Sequence, residues 1–184
     1  MRRVDADVVV RWRPFQLDAS LPKEGVNKRL FYDMKFGQRS AQIVEAMTAT
    51  FAEMGESYSI GGEIGDTWDG HRLMALAEAQ DDGYQLQNRL AEALFKAYFT
   101  GEALISSRDV LLAAAEEAGV TGAAAVLDDP SAYADIVQDQ LRTYAGRYRV
   151  RGVPHFVIGG KIQLSGAQDP DLLAEAIEDA LASP

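Results

Sequence analysis

A chain of 184 residues with 47% hydrophobic residues, 25% charged residues and a formal net charge of −10 has the composition of one globular domain with room for an insertion. Its acidity repels polyanions, so nucleic acid is not an expected partner, and no run approaches the ~20 apolar residues that span a bilayer, so neither is a membrane. Cysteine is absent, which excludes disulfides, thiolate nucleophiles and cysteine-ligated zinc. His71 and His155 are the only histidines and lie far apart in the sequence, so no metal site is expected. The opening MRRVDADVVVRWRP is broken by Asp and Arg before a signal-peptide core forms, so a soluble, cytoplasmic protein is the default expectation.

In chain order, Asp7 to Phe15 (DVVVRWRPF) reads as a mostly buried strand that turns outward at Arg11, Trp12 and Arg13 and is ended by Pro14. Residues 16 to 25 are loop, and Asn27 caps a short helix ending near Phe36-Gly37. Ile43, Ala46, Met47, Thr50, Phe51 and Met54 recur at helical spacing across Arg39 to Met54, with Gly55 as the stop. Glu56 to Asp66, with Gly61, Gly62 and Gly65, has no helical period and reads as loop.

From Thr67 the pattern is helix upon helix: Trp68 to Ala79, Tyr84 to Phe99, Arg108 to Ala118 and a short Ala123 to Leu127, with Gly83, Gly101 and Gly119 as separators. Ser131 is the expected cap of a further helix through Tyr144. The character then changes. Pro154 to Ile158 is a short apolar strand, Gly159-Gly160 a two-residue turn, and Lys161 to Leu164 the return strand. Asp169-Pro170 supplies cap and first residue of a last helix, Pro170 to Leu181. The order predicts α/β architecture with an all-helical insertion.

Two separated segments, VRWRPFQLDASLPKEGVNKR and RGVPHFVIGGKIQLSGAQDPDLLAEAIEDAL, with DGHRLMALAEAQ and LAEALFKAYFTGE between them, resemble the DsbA-like proteins of the FrnE type. The resemblance implies a thioredoxin-like fold over residues 1–66 and 145–184 with an inserted helical subdomain over 67–144, and an ancestral thiol-disulfide oxidoreductase activity. It also implies that Val153-Pro154 matches a Val-cis-Pro loop. In the family a strand and a Cys-x-x-Cys helix precede the segment similar to VVVRWRPFQL, whereas here only MRRVDAD does. The counterpart of a central strand is thus missing, and buried unpaired backbone groups cost about 1–3 kcal/mol each. Three arrangements meet the deficit: direct pairing of the flanking strands, a strand donated by another chain to give a homo-oligomer, or an N-terminally truncated sequence. The last is the favoured expectation.

No catalytic residue is expected, because a dithiol cycle needs two thiolates. The candidate substrate or glutathione site is Val153 and Pro154 together with Ser165, Gly166, Ala167 and Gln168. There the Val153 backbone is offered to a thiol peptide, and a helix start to a γ-glutamyl carboxylate. Asp169 competes for that helix start. His71, His155 and Trp12 are candidate cleft residues; for His71 a packing role outweighs acid–base work, and Trp12 reads as a wall residue. The expected function is a degenerate or truncated, redox-inactive member of the family. The alternatives are a glutathione-dependent transferase- or isomerase-like protein, with glutathione as the cofactor, and a non-catalytic interaction protein.

Overall fold

The computed structural model describes residues 4–81 and 84–182. Contacts divide the chain into two compact units, one formed by residues 1–9, 13–17 and 138–184 and the other by 10–12 and 18–137. Residues 18–66 therefore group with the helical block, whereas the sequence reading places them with the C-terminal part.

In the larger unit a two-residue strand, β1 (Val26–Asn27), leads into helix α1 (Lys28–Phe36). The Asn27 Oδ1 accepts the Leu30 N–H at 3.0 Å, satisfying one of the donors that every helix start leaves open. A 3-10 turn (Gly37–Arg39) joins α1 to α2 (Ser40–Glu53). The segment expected as pure loop contains β2 (Glu63–Ile64), antiparallel to β1 with Val26 opposite Ile64. Two residues are too few for any alternation to register in the sequence. The adjacent Gly62, at φ 73°, lets the backbone pass against Glu102, where an added Cβ would meet the Glu102 carbonyl oxygen at 2.1 Å.

The helical block comprises α3 (Trp68–Gln80), α4 (Gln85–Phe99), α5 (Arg108–Ala118) and α6 (Ala123–Asp128). Their facing stripes form one core around Leu73, Leu76, Leu90, Leu111 and Val126, interleaved with Ala77, Ala93, Ala114 and Ala115. Small residues between the leucines let the helix axes approach closely. Gly83, expected as a separator, lies outside the described residues.

Two buried cations tie this unit together. Arg72, 2% exposed, donates from Nε to the Ala132 carbonyl at 2.8 Å and from Nη1 to Asp69 Oδ1 at 2.7 Å. Its Nη2 reaches the Val126 and Asp129 carbonyls. The guanidinium fork thereby closes the C-terminal end of α6 and the following turn onto α3. Lys28, 1% exposed, donates from Nζ to the carbonyls of Tyr98 (3.0 Å) and Ser59 (3.2 Å) and sits 4.1 Å from the Tyr98 ring centroid. Burial pushes the Lys28 amine below its ordinary value, with Glu102 opposing the shift.

Helix α7 (Ala134–Tyr148) begins two residues later than a cap at Ser131 would place it. Ser131 does not cap it: its hydroxyl donates to Asp129 Oδ1 and its carbonyl accepts the Ala134 N–H. Tyr133 at φ 61° breaks the helical path between them. The smaller unit then carries the hairpin β3 (His155–Ile158) and β4 (Ile162–Ser165) and helix α8 (Pro170–Ala182). Gly159 (φ 59°) and Gly160 (φ 71°) turn the chain in the left-handed region, with Lys161 N–H closing onto the Ile158 carbonyl at 3.1 Å. The loop is one residue longer than expected, since Ile158 pairs with Ile162.

The expected strand Asp7–Phe15 is not one. Asp7 to Gln16 carry neither helix, turn nor ladder, and Val8, Val9 and Val10 are 53%, 55% and 48% exposed. Sequence favours a strand there, but among the described residues no neighbouring strand is hydrogen-bonded to it: β1 pairs with β2 and β3 with β4. Strand propensity is expressed only where a ladder partner exists.

Arg72→Met should destabilise the protein by about 3 kcal/mol, since it strands three carbonyls and leaves Asp69 with Lys23 as its remaining cation. A lowered urea midpoint at unchanged slope is the expected reading, and a loss under about 0.5 kcal/mol contradicts this role. Burial raises the Asp69 carboxyl, but hydrogen bonds from Lys23 and Arg72 outweigh it and hold it below 3.8. Its contribution to stability is therefore full above 3.8 and is lost as pH falls through the lowered folded value. Asp69→Asn should flatten the acid limb of the stability–pH curve in that window; an unchanged limb contradicts the assignment.

Candidate functional site

The C-terminal hairpin positions seven of the candidate residues. Val153 and Pro154 lead into β3, and the peptide bond between them is cis. The Gly166 N–H donates to the Pro154 carbonyl at 2.9 Å, so the segment after β4 is fastened to the loop before β3. Val153 itself is 48% exposed, and its backbone N–H and C=O make no hydrogen bond among the described residues.

Ser165, Gly166, Ala167 and Gln168 connect β4 to α8, and the structure closes this stretch on itself. Gln168 Nε2 donates to the carbonyls of Ser165 (2.8 Å) and Gly166 (3.1 Å). Asp169 Oδ1 accepts the Asp171 N–H at 2.8 Å, so the start of α8 is occupied by the chain's own carboxylate. The anchor considered for a γ-glutamyl carboxylate is thus self-capped.

His155 lies on the polar face of the hairpin. Strand register sets it opposite Ser165, with Nδ1 3.0 Å from Ser165 Oγ and Nε2 3.3 Å from Gln163 Oε1. The opposite face holds Phe156, Ile158, Ile162 and Leu164, as period-two alternation requires. The imidazole is a cross-strand link, with both ring nitrogens beside polar partners.

His71 and Trp12 belong to the other unit. His71 Nε2 lies 3.3 Å from Thr67 Oγ1, one turn back on α3, a helix-start contact. Trp12 is gripped by α4. Its backbone N–H donates to Gln87 Oε1 at 2.9 Å and its carbonyl accepts from Gln87 Nε2 at 3.3 Å. Its indole N–H donates to Asn88 Oδ1 at 2.7 Å, and its ring meets Phe95 edge-on at 5.5 Å. Gln87, 1% exposed, also donates to the Met74 carbonyl at 3.2 Å. Its amide pairs with one residue of backbone as a neighbouring strand would. Sequence reading missed Gln87, Lys28 and Arg72. Each is a polar side chain on a helix face whose neighbours are otherwise apolar, a weak signal because the same pattern marks solvent-facing positions.

Gln87→Leu keeps the volume but leaves both backbone groups of Trp12 unpaired, at a cost of about 2 kcal/mol. Tryptophan emission should shift to the red as the segment detaches; unchanged emission and stability would show that the amide does not hold it.

Among the described residues no helix is long and apolar enough to cross a membrane. No curated protein matches the chain. The crystal structure of a probable DsbA oxidoreductase from Streptomyces coelicolor is similar to it, with a TM-score of 0.82 and 28% sequence identity over 94% of this chain and 75% of that one. The model of the DSBA-like thioredoxin domain matches residues 1–178. The helices, the hairpin and the loop at Val153-Pro154 are therefore elements of a DsbA-like thioredoxin fold, and the chain belongs to the DsbA-like thioredoxin-domain family of thiol-disulfide oxidoreductases.

Proposed function

We propose that residues 1–184 form a FrnE-type member of the family that binds extended peptides at the Val153-Pro154 loop and performs no thiol-disulfide exchange by itself. The observation that carries this reading is the Val153 backbone, half-exposed and without a hydrogen-bond partner among the described residues, in a sequence with no cysteine. Disulfide exchange proceeds by thiolate attack through a mixed disulfide, and no side chain of this sequence supplies the thiolate. A backbone N–H and C=O at the entry to a strand still accept a peptide by strand addition. Gly166, bonded to Pro154, holds that loop in place while His155 is engaged with Ser165 and Gln163.

Titrating the 15N-labelled protein with a short, cysteine-free apolar peptide should shift the Val153 and His155 amides saturably while those of α3 to α6 stay still. An absence of shifts at millimolar peptide overturns the binding reading. Insulin reduction should run at the blank rate, and turnover above it overturns the redox-inactive reading. Calorimetry with reduced glutathione should give no saturable heat, because α8 is self-capped; saturable heat replaces the peptide with glutathione as the ligand.

A further inference from the structure

We propose that the peptide taken at the Val153-Pro154 loop is an acidic one, its carboxylates steered and held by Arg147, Arg149 and Arg151. The inference rests on the peptide-binding role of that loop and names the chemistry of its ligand. The chain has 28 Asp and Glu residues, yet none falls between Gln140 and Gln168. That stretch carries Arg142, Arg147, Arg149, Arg151 and Lys161. In a protein of net charge −10, the segment that contains the whole loop and hairpin is therefore cationic, and it lies within the smaller unit.

Internal contacts do not account for these charges. Arg142 is paired with Asp139. Arg147, in the last turn of α7 and 5.2 Å from the Tyr148 ring centroid, suits the negative end of that helix. Arg149 and Arg151 lie beyond it. Arg149, at φ 51°, turns the backbone out of the helical path, and both side chains are exposed. Among the described residues, none of Arg147, Arg149 and Arg151 has a carboxylate partner. His155 is the one titratable residue of β3 and β4, and its ring nitrogens face Ser165 and Gln163.

Proximity along the chain makes the cations effective. Two residues of backbone span at most about 7 Å and four at most about 14 Å. Arg151 therefore lies within the screening length of about 8 Å from Val153 at physiological salt, with Arg149 close behind. A strand added at the Val153 backbone carries its flanking side chains into that field, where a guanidinium takes a carboxylate through two N–H groups. A peptide is favoured over a nucleic acid, because a long polyanion meets the negative charge of the whole chain whereas a few carboxylates meet only the local field.

The test uses one cysteine-free apolar core, Val-Ile-Val-Phe, flanked by pairs of Glu, Gln or Lys and titrated into the 15N-labelled protein at about 0.15 M and at about 1 M salt. At the lower salt the Glu peptide should bind about tenfold tighter than the Gln peptide, and the Lys peptide weakest, as read from the Val153 and His155 amides. At the higher salt, where the screening length falls to about 3 Å, the three affinities should converge. The triple variant Arg147→Gln, Arg149→Asn, Arg151→Gln should bring the Glu-to-Gln affinity ratio to about one; Asn at the middle position tolerates the left-handed backbone. Arg151→Gln alone should lower the ratio about threefold, and Arg29→Gln, outside the cationic run, should leave it unchanged. Circular dichroism establishes that each variant is folded. Equal affinity for the Glu and Gln peptides, or a ratio unmoved by the arginine variants, overturns the acidic ligand and leaves the peptide site standing. An absence of shifts with every peptide overturns both. Tighter binding of a single-stranded oligonucleotide at the same amides overturns the choice of a peptide.

Discussion

An extended backbone that leaves water needs a partner for its N–H and C=O groups, and the stretch around Trp12 meets that need through a side chain. The buried Gln87 amide takes both backbone groups of Trp12 and is itself held to the Met74 carbonyl. One residue of segment is thereby registered on α4, and the indole–Asn88 and indole–Phe95 contacts fix its orientation. The valines beside it have no such support and stay half-exposed. The same rule explains the C-terminal hairpin, where β3 finds its partner in β4 and the loop before it is closed by Gly166 onto Pro154.

The helical block solves the corresponding problem at helix ends with buried cations. Desolvating an ion is costly unless its hydrogen bonds are met. Arg72 meets its cost by gathering the Val126, Asp129 and Ala132 carbonyls and the Asp69 carboxylate. Lys28 gathers two carbonyls and an aromatic face. Both cations bridge segments distant in sequence, so they set how the leucine and alanine stripes meet. The stripes alone would tolerate several helix arrangements.

Much of this was legible in the sequence. The spacing of Ile43, Met47, Phe51 and Met54 marks α2, Asn27 and Asp169 mark helix starts, and Gly159-Gly160 marks the hairpin, because each signal is local and its physics is complete within a few residues. Val8 to Val10 misled for the opposite reason: strand formation depends on a partner elsewhere, and propensity does not report whether one exists. Ser131 misled because its hydroxyl had a nearer acceptor in Asp129. Among the candidate site residues, Val153, Pro154, Ser165 and His155 lie on one loop and hairpin. His71 makes a helix-start contact, and Trp12 is an anchor in the other unit. The polar residues that organise the core, Gln87 and Arg72, escaped because a buried polar position is told from an exposed one only by three-dimensional neighbours.

The family's chemistry resides in sulfur that this sequence lacks. What the fold retains is a means of holding backbone: the closure of Gly166 onto Pro154 beside β3 and the Gln87 amide at Trp12. Amide hydrogen exchange, resolved by residue, tests that account most directly. The account predicts that the Trp12 amide, held by Gln87, is protected in the native sequence and loses that protection in Gln87→Leu, while the amides of the helical core stay protected in both. Protection of Trp12 that survives Gln87→Leu would contradict it.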